Sequence, residues 1–297
     1  MQLTPWVYTG REGFALRGWH TPPTGKPLLH FIHGNGFCGR AYEPLLRPLA
    51  QDFDLWLSDV QGHGDSDPGG RFVGWNRSAE LAVEALTAHL APYQHVPCFA
   101  VGHSFGGVLS CLAVAHNPGL FERAVVLDPV ILQPHVLMAA QMTLWTGLAN
   151  HSELARKARA RRRHWPDRDS ARASLHNRGV YKGWADESLQ AFIDHALRDS
   201  PEGGVELKCS PDREAEVFSS VAQGLWTALN RIDIPIQVIR AEHTFPFIAA
   251  STQQWKSMNQ NVSDVVVPGG HCFMQETPNQ TAQMVKRYLM TQFQGMV

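Results

Sequence analysis

The chain has 297 residues, 44% of them hydrophobic and 18% charged, with a formal net charge of −1. That length holds one large α/β domain or a domain with an insert. The composition is globular rather than disordered, and the balanced charge argues against a general nucleic-acid binder, which carries a basic footprint.

Met1-Gln2-Leu3-Thr4-Pro5 shows neither the basic nor the apolar part of a secretory signal. No apolar run approaches the ~18 residues that span a bilayer. The cysteines Cys38, Cys98, Cys111, Cys209 and Cys272 are odd in number and form no C-x-x-C. They read as reduced thiols of a cytoplasmic protein. Fifteen histidines are present, but none falls in H-E-x-x-H or another ligand spacing, so no metal is expected.

The first elements are two strand-like runs, Trp6 to Thr9 and Phe14 to Trp19, joined across Gly10 to Gly13 as a hairpin. Leu28 to Ile32 is nearly continuous in apolar residues, as a strand buried on both faces is. It runs into His33-Gly34-Asn35-Gly36, a turn whose backbone N–H groups can point into a site. Arg40 to Leu49 reads as a helix containing Pro44 and Pro48, and Leu55 to Leu57 as the next buried strand. Asn76 to Leu90 carries an apolar stripe at helical spacing.

Pro97 to Val101 is another strand, followed by Gly102-His103-Ser104-Phe105-Gly106 and then by Val108, Leu109, Leu112 and Ala113 at helical spacing. The bare pattern G-x-S-x-G is weak, arising by chance in about one chain in ten of this length. Between a strand and an apolar helix it is a nucleophile elbow, a sharp turn that lifts a serine hydroxyl above the strand end. A Cβ at either flanking glycine would collide with the neighbouring strand or helix.

Ala124 to Leu127 is a further buried strand ending in Asp128-Pro129. From about Val130 to Asn230 strand signal is scarce and helix prevails. One helix is expected to be capped by Asp186, to present Leu189, Phe192, Ile193, Ala196 and Leu197 on one face, and to stop at Gly203-Gly204. Strand signal returns at Ile234 to Ile239 and at Asp264 to Val267, before Pro268-Gly269-Gly270-His271 and a last helix from about Gln280 to Phe293. Alternating strands and helices call for a mostly parallel, doubly wound sheet. The expected division is a core of 1–129 and 231–297 with a helical cap, or lid, of 130–230, since loops that long are rarely structureless.

On His33 to Gly36, Asp59 to Ser66, the elbow at Ser104 and Gly270-His271, the chain resembles the α/β-hydrolase superfamily over nearly its whole length. The helical cap after the sixth strand is similar to the epoxide-hydrolase and haloalkane-dehalogenase branch. Two positions depart from that branch: Ser104 stands where those enzymes have aspartate, and Gln61 where their loop has arginine. A serine nucleophile implies esterase-type acyl transfer.

In that scheme Ser104 is the nucleophile, and His271, after the last strand, is its base. The oxyanion hole is the pair of backbone N–H groups of Asn35 and Phe105. The resemblance puts the acid four residues into Ala241-Glu242-His243-Thr244, where this chain has Thr244. Asp128, ending a strand on the catalytic rim, and Glu242 remain, with Asp128 preferred. His63, Asp65 and His103 read as holding loops by hydrogen bonds. The basic run Arg156 to Arg163 reads as a solvated helix face, or more sharply as an attractor of anionic substrates or lipid headgroups. Phe37, Met138, Met142, Trp145 and Phe273 are the expected pocket lining.

The expected activity is hydrolysis of a carboxylic ester without a cofactor. Its rivals are cleavage of a C–C, amide or thioester bond, and ligand binding with little turnover. The expected partners are a small-molecule ester with an apolar acyl or alcohol part and a second copy of the chain in a homodimer.

Overall fold

The computed structural model describes residues 1–145 and 152–291, with residues 141–145 described by backbone alone. In chain order the strands are β1 (Thr4–Thr9), β2 (Ala15–His20), β3 (Leu28–Ile32), β4 (Asp54–Ser58), β5 (Cys98–His103), β6 (Arg123–Leu127), β7 (His164–Trp165), β8 (Leu197–Asp199), β9 (Val205–Leu207), β10 (Ile236–His243) and β11 (Val262–Gly270). The helices are α1 (Glu43–Leu49), α2 (Trp75–Ala88), α3 (Phe105–His116), α4 (Pro134–Trp145), α5 (Glu153–Arg159), α6 (Arg168–Leu175), α7 (Asp186–His195), α8 (Pro211–Phe218), α9 (Leu225–Arg231), α10 (Pro246–Met258), α11 (Phe273–Glu276) and α12 (Pro278–Met290).

Eight strands form the main sheet in the order β1-β2-β4-β3-β5-β6-β10-β11. The β1–β2 hairpin is antiparallel, β2 meets β4 antiparallel, and the pairings from β4 to β11 are parallel. Side chains alternate across the central strands with period two. Leu28, Ile32, Ala100, Ala124 and Val126 pack into one core with α2, α3 and α9. Leu29, Phe31, Val101, Val125 and Leu127 pack into a second core with α1 and α12. Both faces are therefore covered, and that is why these strands read as unbroken apolar runs.

The stretch between β6 and β10 is less helical than its sequence suggests. It contains a small antiparallel sheet, β7-β9-β8. The helix expected to run to Gly203-Gly204 ends at His195, its N-cap is Ala185 with Asp186 in the first turn, and Leu197 lies in β8. Gly203 and Gly204, both at positive φ, turn β8 into β9 instead. α5 packs on α8 through Ala155, Ala158 and Ala215, whereas α9 packs on α3 alongside the main sheet. Among the described residues no helix is long and apolar enough to cross a membrane.

Candidate active site

The site lies at the carboxyl ends of the parallel strands, where β3, β5, β6, β10 and β11 release their chains within reach of one another. At the end of β5 the turn into α3 holds Ser104 at φ 54 and ψ −116, a conformation that a non-glycine residue adopts only under constraint. The constraint is packing from both sides. A Cβ on Gly106 would fall on the Ile32 carbonyl of β3, and one on Gly102 would fall on the Gly106 carbonyl. With both positions bare, α3 starts directly against the sheet and the Ser104 hydroxyl projects off the strand end.

Asp128, the residue after β6, is also at positive φ, 45°, and is completely buried. Its Oδ1 accepts a hydrogen bond from the Ala241 N–H of β10 (2.9 Å). Its Oδ2 accepts from the Thr244 hydroxyl and from His271 Nδ1 (2.6 Å). His271 Nε2 then lies 2.8 Å from Ser104 Oγ. With Nδ1 carrying the proton toward the carboxylate, Nε2 is the acceptor for the serine hydroxyl. Three residues from the ends of three strands thus form one continuous hydrogen-bonded line. Glu242 stands apart from it, exposed on β10. Thr244, at the position where the resemblance expects an acid, is instead a donor to Asp128, and its Oγ1 is 3.5 Å from His271 Nδ1.

The loop after β3 is tied to this line by buried groups. Gly34 N–H donates to the Tyr42 hydroxyl (3.1 Å), which faces His103 Nδ1 (2.7 Å). His103 Nε2 donates in turn to the His271 carbonyl (3.0 Å). The loop that carries Asn35 and the loop that carries His271 are therefore held in register through one imidazole. Burial, with His271 and His33 as neighbours, holds His103 well below the ordinary histidine range, so the ring that makes these bonds is neutral. The His271 ring is bounded by His103 on one side and by the edge of Phe245 on another, each at 4.9 Å between centroids.

Asn35 is fixed at its side chain. Its Oδ1 is 3.1 Å from His63 Nε2, and its Nδ2 donates to the Glu214 carbonyl (3.0 Å). Burial keeps His63 neutral as well. Asp59 accepts from Gly39 N–H (2.7 Å) and Asp65 N–H (3.0 Å), while Asp65 accepts from Lys208 (2.6 Å). Among the described residues no acceptor meets the backbone N–H of Asn35 or of Phe105. Phe105 is the first residue of α3, where intrahelical partners are lacking.

A cavity of about 340 Å³ opens over Ser104 and His271. Asn35, Phe37 and Phe105 line it from the core, together with Leu132, Leu137, Val217, Val221 and Leu225 from the intervening stretch. Of the residues expected to line a pocket, Phe37 borders this cavity, whereas Met138 lies on α4 and points outward, 63% exposed, while its neighbour Leu137 faces the cavity. Phe273 is 1% exposed and belongs to the core beneath the site. The side chains of Met142 and Trp145 lie outside those described. Of the basic run, Arg156, Lys157, Arg162 and Arg163 are exposed, but Arg161 turns into the cavity and donates to Glu214 Oε2 (2.7 Å). Tyr42, Phe245 and Glu214 were not singled out in the sequence. Glu214 is 53 residues from Arg161, a separation without local signature.

The sequence model of the alpha/beta hydrolase family matches residues 31–284. A monoglyceride lipase of Rattus norvegicus is 36% identical over 122 residues, a match that spans 39% of each protein. A 2-(acetamidomethylene)succinate hydrolase of Mesorhizobium japonicum is 23% identical over 264 residues, 89% of this chain and 88% of that one. The crystal structure of E-2-(acetamidomethylene)succinate hydrolase superposes with a TM-score of 0.75 at 22% identity, covering 97% of this chain and 99% of that one. That likeness is one of fold.

Proposed function

Because the chain belongs to the alpha/beta hydrolase family, we propose that it is a serine hydrolase that cleaves a carboxylic ester through an acyl-enzyme. The observation that carries this reading is the unbroken line from Ser104 Oγ to His271 (2.8 Å) to Asp128 (2.6 Å) at the floor of an open cavity.

Ser104 Oγ attacks the ester carbonyl while its proton passes to His271 Nε2. The Asp128 carboxylate stabilises the imidazolium that results and keeps Nδ1 protonated. The carbonyl oxygen becomes an oxyanion held by the Asn35 and Phe105 N–H groups, and the start of α3 adds the positive end of a helix dipole. Collapse of the tetrahedral intermediate expels the alcohol, which takes the proton from His271. A water molecule, deprotonated by the same imidazole, then adds to the acyl-serine, and a second collapse releases the acid and restores Ser104.

Residues 130–230 act as the cap in this reading, supplying most of the apolar wall against which an acyl or alcohol chain packs. A fluorophosphonate probe combined with a panel of p-nitrophenyl esters, matched thioesters and anilides tests the proposal. Labelling that disappears in Ser104→Ala, together with ester turnover, is the expected result. No labelling of the wild type, with no turnover of any of the three, would return the chain to a ligand-binding protein of the same fold. Preference for the thioester or anilide would reassign the bond cleaved while keeping the nucleophile.

A further inference from the structure

We propose that Arg161 and Glu214 form a subsite for an uncharged, hydroxyl-bearing part of the ester and set the enzyme's specificity; this rests on the reading of Ser104 as nucleophile.

Arg161 lies within a run of basic residues whose other long side chains face solvent, yet its own side chain is only 18% exposed. Its Nη1 donates to Glu214 Oε2, its Nη2 donates to the Tyr181 hydroxyl, and its guanidinium stands 5.7 Å from the Tyr181 ring centroid. Burial works against its charge, but Tyr181 and Glu214 outweigh it, and its pKa lies above the ordinary arginine value. The two side chains meet at salt-bridge distance, 2.7 Å, in a cavity whose remaining walls are mostly apolar. Such a pair stabilises a fold no better than apolar residues of the same volume, because both ions lose their hydration.

The pair's position gives it a use. A Cβ added at Gly36, the residue after Asn35, would lie 3.0 Å from Glu214 Cδ, 3.1 Å from Glu214 Oε1 and 3.1 Å from Arg161 Nη1. Both charged groups thus overhang the turn that supplies one oxyanion N–H, and the Asn35 side chain bonds the Glu214 backbone to that turn. Among the described residues Glu214 Oε1 has no hydrogen-bond donor. A substrate atom a few bonds from the reacting carbonyl meets a carboxylate acceptor and a guanidinium donor side by side. A carboxylate there is repelled by Glu214 and an ammonium by Arg161. A hydroxyl can donate to Oε1 and accept from the guanidinium, leaving the pair electrically balanced.

The test compares ethyl, 2-hydroxyethyl and carboxymethyl esters of one acid. Ratios of kcat/KM are followed across variants, so that differences in leaving-group reactivity cancel. In Glu214→Gln the 2-hydroxyethyl-to-ethyl ratio should fall about tenfold, the effect of losing a hydrogen bond to a charged acceptor. The carboxymethyl-to-ethyl ratio should rise by a similar factor, as Arg161 is uncovered. In the doubly apolar variant Arg161→Met with Glu214→Met, which guards against misfolding of a half-broken pair, the hydroxyl preference should also be lost. An unchanged 2-hydroxyethyl-to-ethyl ratio in either folded variant overturns the subsite. Calorimetric Kd values of the same esters for Ser104→Ala read the subsite without turnover, so a failure of the nucleophile reading and a failure of this one are told apart.

Discussion

The rim of the sheet and the wall above it are built on different physical terms. On the rim, Ser104, Asp128 and His103 are buried, and each sits at the end of a strand whose residues are all buried. Its side-chain hydrogen bonds run between strand ends far apart in sequence, so no member can shift without breaking bonds in the sheet. On the wall, the lining comes from short helices, and Leu154, Val180 and Phe218 remain 43%, 43% and 36% exposed. The difference teaches that the geometry of the rim is set by the packed sheet, whereas the wall above it is a layer of short helices whose side chains can vary without disturbing that sheet.

The sharpest break is at Ser104. Ser104→Ala should lower ester turnover by about 10⁵- to 10⁶-fold, since members of such a unit lose most of the rate together, with an unchanged melting temperature showing that the rim survives.

Asp128→Asn should cost about 10²- to 10⁴-fold in kcat, and asparagine tolerates the positive φ of that site. Glu242→Gln should stay within about twofold. Because Thr244 Oγ1 reaches both Asp128 Oδ2 and the neighbourhood of His271 Nδ1, Thr244→Asp placed on Asp128→Asn should recover at least about tenfold of the lost kcat. No recovery would mean that β10 cannot present a carboxylate to this ring.

Acid should attack the core and rim before the wall. Burial depresses the His30 pKa to about 3 and that of His33 to about 4, and holds His63 and His103 well below the ordinary range. In the unfolded chain all four protonate near pH 6.5. Their contribution to stability is complete above that value and is lost as pH falls toward the folded values. Asp59, pushed up to about 7 by burial, works in the opposite sense, because the folded state holds a proton that the unfolded carboxyl has released. The histidines outnumber it, so on balance unfolding takes up protons and stability falls as pH drops from about 6.5 toward about 4. Urea midpoints measured across that window check it, and a flat response would mean that these imidazoles are charged in the folded protein.

The smallest effects belong to the wall. Val221→Phe, which narrows the cavity, should shift preference toward shorter acyl chains by about tenfold while turnover of an acetate ester stays within about threefold. Met138→Ala, on the outer face of α4, should change neither. A chain-length profile across p-nitrophenyl esters measures both, and a large effect of Met138→Ala would mean that α4 turns over when substrate binds.

The same contrast governs what the sequence discloses. Strands covered on both faces leave unbroken apolar runs, and the glycines around Ser104 are required by contacts with the next strand and helix, so the rim is written locally. The wall is written in tertiary terms. Strands of two or three residues such as β7 and β8 are too short for a period to emerge. Helical spacing places Leu137 and Met138 on α4 without saying which of them looks inward. Phe273 follows His271 closely in sequence, but α11 turns it beneath the imidazole into the core. The pairing of Arg161 with Glu214 leaves no trace within the basic run, which reads by itself as a solvated face.

All five cysteines are free and buried, and burial pushes each thiol upward, Cys98 to about 12 and the others higher still. The native molecule therefore offers no thiolate to an alkylating or disulfide-exchange reagent at neutral pH. Cys38 and Cys272 sit beside the rim, Cys209 just before α8, and Cys98 and Cys111 within the elbow strand and helix. The order in which they react during gentle denaturation becomes an intrinsic chronometer of which layer opens first, available without attaching a dye or altering a residue.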